Sequence, residues 1–248
     1  MAGSHERLLR PLRDAGVLMA KTGKFLVLEG LDGAGTTTQS KILADRLRRE
    51  GHKVHCTAEP SSGPIGSQLR LMLAGRLVGR KGEPWDRRSL ALLFAADRLD
   101  HLASVIVPRL EVGVHVVCDL YVLSSLAYQS LDNPASWVAE LNRHMRRADA
   151  TYFLRIRAEA ALARRLDDSG GQAELFETLP QQKRIARAYE KSIASHGRAQ
   201  RVRIVEAPPR STTSPTRSGR ISANRSSEER LSSLIRAPRG AGRRVMAR

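Results

Sequence analysis

Short apolar runs and longer amphipathic stretches alternate along this chain. Residues 24–29 (KFLVLE) form an apolar run that ends at Gly30, the pattern of a strand buried on both faces. From 37 to 50, Ile42, Leu43 and Leu47 fall on one helical face, and Gly51 stands where a C-terminal cap belongs. The same pairing then repeats. A strand at 53–57 is followed by a helix at 65–74 and by a long helical stretch at 83–110, with Pro84 near its first turn. Strand character returns at 114–118, helical pattern at 124–147, and strand again at 151–156. Helices at 158–166 and 179–196 precede a last strand at 202–205. Strands alternating with helices predict an α/β fold, a doubly wound parallel five-stranded sheet with helices on both faces and its site at the strand C-terminal ends.

Composition sets the boundaries of that fold. A chain of 248 residues with 41% hydrophobic content can bury one sizeable core, so one domain is expected at 21–207. No run approaches the roughly 18 apolar residues of a membrane-spanning helix, and no secretory leader is evident, which points to a cytoplasmic protein. Residues 1–20 read as an unpatterned extension, with Met19 an alternative start. Residues 208–248 hold ten arginines against two glutamates among Ser, Thr, Pro and Gly, so this tail is expected to be disordered. Much of the net charge of +17 therefore lies outside the domain, and nucleic-acid contact by the tail rests on composition alone. Cys56 and Cys118 sit in apolar stretches without metal-ligand spacing and read as reduced, buried thiols.

The candidate chemistry starts directly after the first strand. Gly30, Leu31, Asp32, Gly33, Ala34, Gly35, Thr36 and Thr37 read GLDGAGTT, a glycine-rich loop between strand and helix, and Thr38 follows inside the helix. Glycines there allow backbone N–H groups to curl around phosphate oxygens, and the helix N-terminus adds partial positive charge. Thr37 holds the hydroxyl position that binds Mg²⁺, but Thr36 stands where the phosphate-loop pattern has lysine. Alone, the three glycines make only a tight turn.

Extended to LEGLDGAGTTTQ, the segment resembles the opening of thymidylate kinases, EGxDGxGKxTQ, everywhere except at that lysine. Three further segments are similar to the family's in the same order: AEPSSGPIGSQLR at 58–70, LFAADR at 93–98 and CDLYVLSSLAYQ at 118–129. With a lid and helix at 164–189, the resemblance covers 24–205 and implies a P-loop NTPase fold with a short lid. It implies phosphoryl transfer from ATP to dTMP, with Mg²⁺ and a homodimeric enzyme. Phe94 would stack on thymine, Ser125 and Gln129 would hydrogen-bond its edge, and Tyr128 would pack on the deoxyribose. Arg98 would reach the base edge or phosphate, Arg70 the phosphate, and Asp32 the sugar 3'-hydroxyl. Asp119 would assist Mg²⁺, while Arg164 and Arg165 in the lid would serve catalysis. Without the resemblance, Phe94 reads as core, the arginines as solvated charges, and Asp119 as a helix cap.

Four cationic positions of the family are neutral here: Thr36, Ala58, Leu120 and Leu175. Arg155 also stands where the family often has an acid. One well-placed arginine is worth about 10³ to 10⁵ in phosphoryl-transfer rate, so these losses raise a second reading, a catalytically inactive nucleotide-binding or regulatory relative.

Overall fold

The computed structural model describes residues 22–168 and 178–207; the predicted extension at 1–20 and tail at 208–248 lie outside them. At the centre stands β1 (Phe25–Gly30), buried along all six residues. Its neighbours are β3 (His115–Asp119) and β4 (Ala150–Arg155), with β2 (Val54–Ala58) and β5 (Val202–Glu206) at the edges. The order β2-β3-β1-β4-β5 and uniformly parallel pairing match the predicted sheet. A central strand covered on both faces cannot alternate apolar with polar, which is why FLVLE reads as a continuous run. Phe25 and Val27 pack in a cluster with Ile106, Leu110, Val116 and Tyr121. Leu26 and Leu28 point to the opposite face and are as fully enclosed. Burying each such side chain stabilises the fold by roughly 1.5–3 kcal/mol.

Around the sheet lie α1 (Thr36–Arg49), α2 (Pro64–Leu73), α3 (Arg87–His101) and α4 (Val107–Glu111). After β3 come α5 (Val122–Tyr128) and α6 (Ala135–Leu141), and after β4 come α7 (Ala158–Asp168) and α8 (Leu179–His196). The predicted cap of the first helix is present: Gly51 adopts φ 89°, and His52 donates back to the Leu47 carbonyl at 3.0 Å. The two long predicted helices are divided. The first begins only at Arg87, because Asp86 caps it by accepting from the N–H groups of Arg88 and Ser89, which leaves Pro84 outside. Between α3 and α4 the helix widens into a π turn over Leu102–Ile106, next to Pro108, whose missing N–H interrupts the regular ladder. The second stops at Tyr128, passes through a 3₁₀ turn at Gln129–Leu131 and restarts after Pro134.

This topology fixes where the site sits. The chain leaves β1 toward β2 on one side, yet leaves β3 toward β4 on the other, so the loops after β1 and β3 diverge at a crevice beyond the strand ends. The parallel register places Leu28 beside Asp119 at that edge. Among the described residues, no helix is long and apolar enough to cross a membrane.

Candidate active site

The loop after β1 is shaped by two left-handed glycines, Gly33 at φ 86° and Gly35 at φ 90°. At Gly33 a β-carbon would lie 2.2 Å from the Ala161 carbonyl oxygen, so the loop is pressed directly against the backbone of α7. Gly35 opens α1 without a capping side chain, which leaves the first N–H groups of that helix for phosphate oxygens. Leu31 and Ala34 are buried beneath the loop, Thr36 is half-buried, and Thr37 and Thr38 are exposed.

Asp119, at the end of β3, faces this loop. The Thr37 hydroxyl donates to its Oδ2 through a short hydrogen bond, so two residues 82 positions apart in sequence meet at one point. The other carboxylate oxygen, Oδ1, is buried without a hydrogen-bond partner. An anionic oxygen left bare beside a hydroxyl fits a hard divalent cation such as Mg²⁺, which takes carboxylate and hydroxyl oxygens. Leu120, next in the chain, is held at φ 64°, a left-handed conformation rare for a branched side chain, and its N–H donates to Leu28 at 2.9 Å. The position read as a lost arginine is thus a strained corner of backbone beside the Thr37–Asp119 pair.

Two pairs of residues named from sequence meet in the structure, Tyr128 with Asp32 and Arg98 with Ser125. Tyr128 donates to Asp32 Oδ2 at 3.1 Å and stands edge-to-face with Tyr189. Burial and the adjacent Asp32 carboxylate hold its phenol well above the usual tyrosine range. Gln129 carries a buried, unpartnered Oε1, an acceptor suited to a base N–H. Phe94 is half-buried on α3, one turn before Arg98.

Arg98, expected at the base edge or phosphate, has partners inside the protein. Only 1% exposed, its guanidinium donates to Glu59 Oε2 at 2.7 Å, to the Tyr121 carbonyl at 3.0 Å, to Ser125 Oγ at 2.9 Å and, through a short bond, to Asn142. It is the hub of a buried network rather than an open hand toward a phosphate. Asp97, Arg98 and His101 share one α3 face, and they hold the Glu59–Ser61 loop: Asp97 accepts from the Ser61 N–H at 2.7 Å, and His101 Nδ1 lies 3.3 Å from Glu59 Oε1. Arg70, expected at the phosphate, donates instead to the carbonyls of Pro60 and Ser61. Arg98 thus braces Ser125, while Arg70 braces the Pro60–Ser61 loop. Arg155 pairs bidentately with Glu190 at 3.0 Å, tying β4 to α8. Arg164 and Arg165 lie half-buried near the end of α7, whereas Leu175 falls outside the described residues.

Sequence reasoning missed Glu29. Fully buried at the end of β1, it accepts from the N–H groups of Tyr121 at 2.9 Å and Ser124 at 3.3 Å and from the Ser124 hydroxyl. Tyr189 completes the cluster by donating to the Gly30 carbonyl at 3.0 Å. The carboxylate inside KFLVLE, polar within an apolar strand, was the available signal. Desolvation pushes its pKa up to about 7, against the hydrogen bonds of Ser124 and the charge of Arg98. A pKa raised on folding means the fold favours the proton, so this contribution is complete below the unfolded value of 4.5 and is lost as pH rises through about 7. Native protein should lose up to roughly 3 kcal/mol relative to Glu29→Gln between about pH 4.5 and about pH 8. Chemical denaturation of both proteins across that range checks this; parallel stability curves would contradict it.

A glycine loop between the central strand and a helix, faced by a hydroxyl–carboxylate pair at the end of the adjacent strand, defines a P-loop protein built to bind nucleotide phosphates. The thymidylate kinase family profile matches residues 28–209. The chain is 37% identical over 171 residues to a probable thymidylate kinase of Pyrococcus abyssi, covering 68% of this chain and 82% of that protein. It is 40% identical over 166 residues to a thymidylate kinase of Gluconobacter oxydans, covering 64% of this chain and 75% of that protein. The chain belongs to the thymidylate kinase family, whose reaction phosphorylates dTMP to dTDP with ATP as the phosphoryl donor.

Proposed function

We propose that this chain catalyses its family's reaction, transfer of the ATP γ-phosphoryl group to dTMP, with Mg²⁺ and with a phosphate loop that works without its lysine. The observation that carries this reading is the Thr37–Asp119 pair with its bare Asp119 Oδ1, because a relative that had abandoned chemistry has no physical need to keep an unsatisfied buried carboxylate there. Thr37 and Asp119 would hold Mg²⁺, which supplies positive charge to the phosphate oxygens during transfer. Backbone N–H groups from Gly33 into α1 would orient the ATP phosphates, while Phe94, Ser125 and Gln129 would receive thymine and Asp32 with Tyr128 the sugar.

The missing loop charge has a candidate substitute in α7. Because Ala161 abuts the loop at Gly33, Arg164 and Arg165, three and four residues further along, leave the helix on the same side. An arginine from that helix can take the electrostatic part that the lysine plays elsewhere. The homodimer implied by the family would need an apolar face, and Leu92 and Leu99, about half exposed on one stripe of α3, offer one.

Thr36→Lys tests the arrangement. With compensation already in place, the added lysine should raise ATP affinity but change the rate of dTDP formation by less than about 100-fold, roughly 2.7 kcal/mol. Steady-state kinetics of the two proteins decide the matter, and a native chain that becomes active only on gaining lysine would contradict the proposed substitution of charge.

A further inference from the structure

A cavity of about 330 Å³ lies between α5–α6 and α8, and its composition is one-sided. Arg184, Arg187 and Lys191 rim it along one face of α8, and no carboxylate is among its lining residues. Leu126, Leu131 and Ala188 give it an apolar floor. Two polar atoms in the lining, Ser130 Oγ and His196 Nδ1, are buried without any hydrogen-bond partner. Buried polar groups are ordinarily satisfied, so a pair of orphans in one basic cavity calls for a ligand that accepts hydrogen bonds.

This cavity is not part of the phosphate loop. Tyr189 is the α8 residue that reaches the loop, through the Gly30 carbonyl. Arg187 and Lys191 lie two residues to either side of it, about 200° round the helix, and so project from the opposite face. Their charge is unavailable to the transferred phosphoryl group.

We propose that this cavity is a second nucleotide site, taking the polyphosphate of a nucleoside triphosphate between Arg184, Arg187 and Lys191 and its base against Leu126, Leu131 and Ala188. Three cations with no carboxylate among the lining residues select a polyanion rather than a single carboxylate. The apolar floor selects one with a flat, weakly polar body, and the volume is at the small end of the usual range for small-molecule pockets, about 300–1,000 Å³, which suits a mononucleotide. Ser130 and His196 would supply hydrogen bonds to phosphate oxygens. Because Tyr189 joins the same helix to Gly30, occupancy would bear on the phosphate loop through α8.

Isothermal titration calorimetry of the full chain with ATP, in the absence of dTMP, tests the site against an Arg187→Glu/Lys191→Glu variant. Both positions are exposed, so the variant keeps its core, and an unchanged melting temperature verifies this. The native chain should take up one more equivalent of ATP than the variant, or bind that equivalent at least about 30-fold more tightly, while the remaining binding is unaltered. Inorganic tripolyphosphate should compete for the same equivalent more weakly than ATP, since it lacks a base. Equal stoichiometry and affinities in native and variant protein would overturn the proposal, as would tripolyphosphate binding as tightly as ATP, which would leave a charge patch with no place for a base.

Discussion

Asp119→Ala should lower the rate of dTDP formation by at least about 10³-fold, some 4 kcal/mol of transition-state stabilisation, with little change in stability. The asymmetry comes from the state of the carboxylate. Only Oδ2 is engaged inside the protein, by Thr37, and Oδ1 is buried without a partner, so the folded chain gains little from this side chain and loses little when it goes. A divalent cation held by Asp119 and Thr37 would act directly on the phosphate oxygens, a part that arginines of α7 standing in for the loop lysine would not also fill. Initial rates and thermal melts of the variant measure both halves. Activity within tenfold of native would remove Asp119 from the metal site; a collapse in stability would make it a structural residue.

Arg98→Ala should do the reverse and strike the fold. The guanidinium is enclosed with Glu59, Asn142, Ser125 and the Tyr121 carbonyl, and its loss leaves the Glu59 carboxylate buried with only His101 to face it. Breaking a buried ion pair from one side costs about 3–5 kcal/mol, several-fold more than deleting a surface charge. Arg98→Ala/Glu59→Gln should recover part of that loss, because the stranded charge is then gone. Urea denaturation of the three proteins measures it. A loss under about 1 kcal/mol would mean the guanidinium is not held as described and is free for a phosphate after all.

These two residues also show what could be read in the chain and what could not. The place of Asp119 was legible because it depends on local order: a carboxylate ending an apolar strand lands beside Thr37 once strands β1 and β3 pair. The sheet was legible for the same reason, since KFLVLE can serve only as a doubly covered strand. The internal partners of Arg98 were not legible, because LFAADR gives the spacing of a helix face but not what lies against it. The carboxylate that captures its guanidinium is 39 positions away, and no pattern within α3 announces it. The same holds for Arg70, whose donors meet carbonyls of the Pro60–Ser61 loop. The division of the long helices was signalled by Pro108 and Pro134, but the apolar periodicity continues through both, and periodicity outweighed the breakers. Glu29 is the instructive omission. Its charge marked it as anomalous in a buried strand, yet its partners Tyr121, Ser124 and Tyr189 come from elements that only the fold assembles.

A thymidylate kinase site that works without its loop lysine must show turnover in the native chain. Purified native protein, supplied with saturating Mg²⁺ and ATP and a panel of dTMP, dUMP, dCMP and dAMP, should form diphosphate product fastest from dTMP. The margin should be narrowest over dUMP, which lacks one methyl group worth about 1–3 kcal/mol, and wider over dCMP and dAMP, whose hydrogen-bonding edges mismatch Ser125 and Gln129. A native chain that binds ATP and dTMP yet makes no dTDP above the uncatalysed background would contradict the account and establish the inactive, nucleotide-binding relative in its place.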